Sequence, residues 1–231
     1  MRRHLPNFFT LLNLASGSIG AIIALRGNLA HGALCINLGA FFDFLDGFLA
    51  RLFCYPSPFG KQLDSLADLV TFGFLPTVIM YSLIELQTTS LHLPYIALLI
   101  TLFSALRLAR FNIDTRHHQV FVGLPTPANA IFISTLPFIM AADNHSWLKA
   151  WIAHAYTLTA MTILSSCLLV ANIPFVAFKF TTYGWHPNRA RYILLLATSL
   201  LILLFRTEGV VLSFLLYILC SSLLQRSPKR T

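Results

Sequence analysis

Four aspartates, Asp43, Asp46, Asp64 and Asp68, stand in some of the most apolar sequence of a chain that carries only eight Asp and Glu in all. Asp43, Asp46, Gly47 and Ala50 recur at i, i+3, i+4 and i+7, so on a helix they share one face. Lys61, Asp64, Ser65 and Asp68 repeat that spacing further on. Tyr55-Pro56-Ser57-Pro58 separates the two sets, because proline cannot continue a helix interior. The spacing predicts two antiparallel helices with their acidic faces turned together. Leaving four such carboxylates unpaired in a low dielectric would cost several kcal/mol or more, and one or two divalent cations would remove that cost. Oxygen ligands without Cys or His favour Mg²⁺ or Mn²⁺ over Zn²⁺. Two such ions about 4 Å apart suit phosphoryl or phosphodiester chemistry. Gly47 and Gly60 leave room for a phosphate or nucleotide against the backbone. Arg51 adds a fixed positive charge for phosphate. The competing assignment, a solvated or salt-bridged helix face, has only Arg51 and Lys61 nearby to serve it.

The elements that must hold these residues are membrane helices. Of 231 residues, 57% are hydrophobic and 10% are charged, against about 25% charged in a soluble domain. No polar stretch is long enough for a separate soluble domain, so one membrane domain over 1–231 is expected. The apolar runs predict an all-α polytopic bundle of about eight transmembrane helices, near 8–25, 30–53, 61–86, 92–113, 124–142, 148–178, 190–205 and 208–225. The N-terminus has two arginines but no small-residue cleavage site, so no removed signal peptide is expected. Cys35, Cys54, Cys167 and Cys220 form no paired motif and read as small packing residues.

Charge asymmetry predicts the orientation. With the N-terminus in the cytoplasm, thirteen of the sixteen Lys and Arg, among them Arg116, Lys179 and Arg189, fall on the cytoplasmic side. Only Arg26, Lys149 and Arg206 fall outside. Both termini and the acidic site then face the cytoplasm. A net charge of +8 on such a chain reflects orientation and attraction to anionic lipid, and no nucleic-acid partner is expected.

Other positions bear on the site. Pro6 and Asn7 fit a helix start, with Asn7 as the cap. Gly17 and Gly20 suit close helix packing. Gly73 and Pro76 should loosen the third helix. Arg107 and Arg110, i and i+3 near the inner interface, fit a lipid phosphate or an acceptor carboxylate as well as simple anchoring. Pro125 and Pro127 rule out regular helix before Ala128. His117 and His118 read as exposed loop residues.

The pattern D-x2-D-G-x2-A-R-x8-G-x3-D-x3-D is met without a gap by Asp43, Asp46, Gly47, Ala50, Arg51, Gly60, Asp64 and Asp68. It resembles the signature of the CDP-alcohol phosphotransferases. Asn7 to Gly17, Leu106 to Asn112, Phe121 to Ala128 and Ala171-Asn172-Ile173-Pro174 are similar to the phosphatidylserine synthase branch of that family. The resemblance covers roughly 5–180 and leaves 190–225 as two additional helices. Thr71 stands where serine is commoner, with the hydroxyl retained.

The resemblance implies a homodimer in the cell membrane that converts CDP-diacylglycerol and L-serine to phosphatidylserine and CMP. It further implies metal binding by Asp43, Asp46, Asp64 and Asp68, with Asp68 as general base. By the same resemblance Asn7, Thr10, Asp43, Gly47, Arg51, Ser57, Gly60 and Asp64 contact the CDP-lipid, with Asn13 a weaker candidate. Lys61, Arg107, Arg110 and Asn112 are the candidates for acceptor or lipid phosphate. A phosphatidylglycerophosphate or phosphatidylinositol phosphate synthase would share the signature. An ion or proton transporter is the rival of another class, but the acidic cluster occurs once, without the repeat that transporters show.

Overall fold

A computed structural model describes residues 5–53, 57–113, 121–142, 147–175 and 185–224. Cys54, Tyr55, Pro56, Arg116, His117, His118 and Lys179 lie outside them, as do the basic residues at the two ends.

The protein is helical. The helices are α1 (Leu5–Leu25), α2 (Leu29–Leu52), α3 (Pro58–Glu85), α4 (Leu93–Ile113), α5 (Thr126–Ala141), α6 (Trp147–Ile152), α7 (Ala155–Val170) and α8 (Trp185–Leu224). The only extended pairing among the described residues is a two-residue antiparallel contact, Phe121–Val122 with Pro174–Phe175. Five helices, α1 to α4 and the 192–221 part of α8, are long and apolar enough to cross a membrane, and α5 and α7 are shorter apolar helices. This is an integral membrane protein.

Helix α3 is the centre of the bundle. Its most apolar window is 67% buried, against 39% for α1 and 22% for α2 and α4. Phe72, Leu75, Ile79 and Met80 of α3 are fully enclosed, with Ile36 of α2, Ile100 of α4 and Ile133 and Leu136 of α5 in the same core. Large apolar side chains such as Ile19, Leu34, Leu102 and Leu203 point outward, as lipid-facing positions should. The sequence expectation that Gly73 and Pro76 loosen the helix is met by a π-helical stretch over Leu69–Phe74, directly after Asp68. The carbonyl of Gly73 accepts from the hydroxyls of Thr77 (2.9 Å) and Thr101 (3.4 Å), which supplies partners where the regular ladder is interrupted.

Helices α1 and α2 form an antiparallel hairpin closed by Gly27 at φ 89°. Glycines on both of its helices admit α3. A Cβ on Gly17 would stand 2.7 Å from the Thr71 Cα, and one on Gly39 2.4 Å from the Thr71 Cγ2. Thr71 donates to the Asn13 carbonyl at 2.9 Å, so the π-helical turn is keyed into α1 at that point. Gly39→Ala is therefore expected to destabilise the protein by about 1–3 kcal/mol, the usual cost of overpacking. A lower midpoint in thermal unfolding of the detergent-solubilised protein checks it; an unchanged midpoint would show that the contact gives way freely.

Three sequence expectations are corrected. Helix α1 starts at Leu5, so Asn7 lies inside its first turn and is not its cap. The expected helix 148–178 is two helices, because His154 is extended at φ −105° and ψ 123°. The second of them stops at Val170: Ala171 turns extended, and Pro174 cannot continue a helix. Gly123, at φ 85°, instead brings its N–H to the Ile173 carbonyl (2.9 Å), while the Leu124 N–H reaches the Leu168 carbonyl (2.9 Å). The loop before α5 thus satisfies a carbonyl left open at the end of α7. Regular helix in α5 starts at Thr126, with Pro127 in the first turn where its missing N–H costs nothing.

The expected break between the last two helices is present. Arg206, at φ 50° and ψ −122°, divides α8 into two arms. The Ser213 hydroxyl donates to the Thr198 carbonyl fifteen residues earlier, at 3.4 Å. In a straight helix those positions would be about 22 Å apart, so the arms fold back on each other.

Candidate active site

The acidic faces of α2 and α3 do meet. One carboxylate oxygen each from Asp43, Asp64 and Asp68 lies within 4.8 Å of the other two. Asp46 stands beside this trio, 7% exposed, and accepts from the Thr10 hydroxyl at 2.7 Å. Asp68, 9% exposed, accepts from the Asn13 amide at 3.2 Å. Thr10 and Asn13 are one turn apart on α1, so this helix lays a row of neutral donors along the cluster. The donors orient the carboxylates without cancelling their charge.

The arrangement fits a hard divalent cation. Three carboxylates that close in a low-dielectric setting repel each other strongly unless a positive charge is shared between them. Asp64 Oδ1 is buried with no hydrogen-bond partner, an oxygen with its lone pairs unused. The three grouped ligand atoms are all carboxylate oxygens, the donor type that Mg²⁺ and Mn²⁺ prefer. The charge density of the trio, the buried orphan oxygen and the ligand chemistry agree.

Of the residues expected to contact a CDP-lipid, Thr10, Asp43 and Asp64 are at the carboxylates, and the others fall into two groups. Asn7, Ser57 and Gly60 are together: Ser57 caps α3 by accepting from the Gly60 N–H at 2.9 Å. A Cβ on Gly60 would sit 2.9 Å from the Ser57 Oγ and 3.2 Å from the Asn7 Oδ1. Gly60 is thus what allows α1 to approach the start of α3, and Ser57 has a capping duty whatever else it touches. On α2, the space a Cβ of Gly47 would enter is open, with only an Arg51 nitrogen at 3.8 Å. Arg51 is exposed at the last turn of α2, its Nε donating to the Gly47 carbonyl at 2.8 Å.

The basic and amide candidates separate. Lys61 donates to the Asn112 carbonyl at 3.0 Å, and the Asn112 amide donates to the Ser65 hydroxyl at 2.8 Å, which ties α3 to the end of α4. Arg110 is exposed and reaches the Val170 carbonyl at 3.5 Å, at the C-terminus of α7. Arg107 turns inward, and its Nη1 donates to the Thr126 hydroxyl of α5 at 3.1 Å. Arg107 and Arg110 are one turn apart on α4 but engage different neighbours, the start of α5 and the end of α7.

Some site-proximal residues were invisible or underweighted in the sequence. Asn13 is fully buried and touches Asp68, which its i+3 relation to Thr10 foreshadows. Thr126 and Asn129 belong to a helix whose position beside α3 no local pattern reveals.

The sequence model of the family described as CDP-alcohol phosphatidyltransferase matches residues 3–163. The chain is 35% identical over 137 residues to an archaetidylserine synthase of Methanothermobacter thermautotrophicus, covering 57% of this chain and 56% of that protein. It is 36% identical over 139 residues to the CDP-diacylglycerol–serine O-phosphatidyltransferase of Bacillus subtilis, covering 58% and 76%. The protein of the same description from Mycobacterium tuberculosis is 31% identical over 199 residues, covering 82% and 66%. The chain thus spans little more than half of the archaeal protein and two thirds to three quarters of the bacterial ones.

Proposed function

The chain belongs to the CDP-alcohol phosphatidyltransferase family, and from that premise we propose that it moves the phosphatidyl group of CDP-diacylglycerol to the hydroxyl of L-serine. The products are phosphatidylserine and CMP. The observation that carries the reading is the trio of carboxylate oxygens within 4.8 Å, with a buried Asp64 oxygen left unpartnered among them. The choice of serine rests on the bacterial relatives, which are described as CDP-diacylglycerol–serine O-phosphatidyltransferases, and on the Leu106–Asn112 and Phe121–Ala128 strings.

Asp43, Asp46, Asp64 and Asp68 would hold Mg²⁺ or Mn²⁺, two ions in this reading. Bound there, the metal supplies positive charge to the phosphoryl oxygens and to the departing CMP. The side chains do the rest. Thr10 and Asn13 fix the rotamers of Asp46 and Asp68. Asp68 takes the proton of the serine hydroxyl as the oxygen–phosphorus bond forms. The phosphorus–oxygen bond to CMP breaks, and CMP leaves with the electron pair. Asn7, Ser57, Gly60 and the open side of Gly47 receive the CDP group, and Arg51 balances phosphate charge. The deep burial of Asp68 limits the water that would compete with serine.

In the same reading the chain is one membrane domain with a core at 5–180, followed by two further helices. Its site and both termini face the cytoplasm, as the thirteen-to-three split of basic residues supports. Assembly as a homodimer rests on the family resemblance alone. Purified full-length protein in mixed micelles with CDP-diacylglycerol should release CMP on addition of L-serine. CMP release with glycerol 3-phosphate and none with serine would overturn the choice of acceptor.

A further inference from the structure

Arg107 extends from α4 toward the first turn of α5, and what it finds there is only partly satisfying. One nitrogen, Nη1, donates to Thr126 Oγ1 at 3.1 Å. Its Nε is buried with no hydrogen-bond partner. Asn129 lies one turn after Thr126, so the two share a face of α5. Asn129 is 0% exposed, and both its side-chain oxygen and nitrogen lack a partner. Arg107 also lies close enough to Asp68 for their charges to act on each other. Buried polar atoms left without partners are rare and costly, so a group of them is a place where something polar belongs.

The chemistry of the open positions specifies the occupant. A guanidinium edge that offers Nε–H as a free donor suits a planar carboxylate held by two parallel bonds. A free carboxamide offers both an acceptor, which an ammonium can use, and a donor. A small zwitterion with carboxylate and ammonium on one carbon would satisfy both partners, whereas a phosphate ester would leave the Asn129 oxygen unpaired.

We infer that Arg107, Thr126 and Asn129 form the pocket for the amino-acid part of the acceptor, with Arg107 on its carboxylate and Asn129 on its ammonium. This rests on the proposed function and extends it. The pocket selects an α-amino acid over other alcohols and places its hydroxyl toward Asp68. Thr126 is a positioning residue that holds the guanidinium through its hydroxyl. Arginine is required, because a lysine there offers a point charge without the planar pair of donors.

The test uses the purified full-length protein with CDP-diacylglycerol. Arg107→Lys, Asn129→Leu and the milder Asn129→Ala should each raise KM for serine tenfold or more, while KM for CDP-diacylglycerol moves less than twofold. Inhibition by ethanolamine, which lacks the carboxylate, should be weak in the wild type, and serine's advantage over it should shrink in Arg107→Lys. Serine KM values within twofold of wild type in all three variants would overturn the assignment. So would a parallel loss of kcat, both KM values and thermal stability, which would mark a purely structural network. Wild-type protein that uses glycerol 3-phosphate and ignores serine would instead refute the parent reading, and this pocket with it.

Discussion

Asp68→Asn is expected to lower CMP release by about 10³-fold or more, since loss of a general base alone costs 10²–10⁴-fold and this carboxylate is also a ligand. The change is nearly isosteric, and the new amide can still pair with Asn13. What disappears is the proton acceptor and one negative charge. With Asp68 only 9% exposed, there is little room for water to take over the base's work. Folding should survive. Removing a charge from a crowded acidic group relieves repulsion, so without metal the variant's thermal midpoint should equal or exceed that of the wild type. Turnover of CDP-diacylglycerol with serine, read beside membrane insertion and thermal unfolding, decides the matter. Near-normal turnover would remove Asp68 from the mechanism, and an aggregated variant would show that the carboxylate is needed for the fold.

Metal removal should have an effect of similar size. Chelation with EDTA is expected to abolish turnover, and Mg²⁺ or Mn²⁺ to restore it. A cation that binds only the folded site should also stabilise the protein, by about 2.7 kcal/mol at a hundredfold excess over its Kd. That gain should be lost in Asp43→Asn and Asp64→Asn, because each removes the negative charge of one of three carboxylates whose oxygens lie within 4.8 Å of one another. Asp46→Asn should lose less if its chief tie is the 2.7 Å bond from Thr10. Titration with Mn²⁺ followed by paramagnetic resonance counts the ions directly. Full activity in EDTA would defeat the reading outright, and one Mn²⁺ per chain at saturation would reduce the site to a single ion.

Much of this site could be read from the chain as written. The i, i+3 and i+7 spacings fix which residues share a helix face, because the helical repeat is a local property. The prolines between the two acidic sets force a turn, so the faces had to meet or splay apart, and shared burial in an apolar setting favoured meeting. The apolar runs marked the membrane helices, and the loosening of α3 after Asp68 followed from Gly73 and Pro76. Where the reading ran helices too long, as over 148–178, the fault lay with local hydrophobicity. It cannot register that His154 is extended or that the carbonyls of Leu168 and Ile173 are taken by the loop before α5.

The sequence by itself determined the chemistry on offer: oxygen ligands, their sharing of faces, a membrane setting, and a motif that identifies the family. Only the tertiary structure decided which side chains that chemistry would use together. It put three carboxylates in one cluster and hung the fourth on Thr10, sent Arg107 inward and Arg110 outward, and buried Asn129 with both its side-chain polar atoms unpartnered. The physical reason is range. Helical periodicity acts over a few residues, whereas the approach of α1, α4 and α5 to α3 depends on small-residue contacts such as Gly39 against Thr71, between positions far apart in the chain.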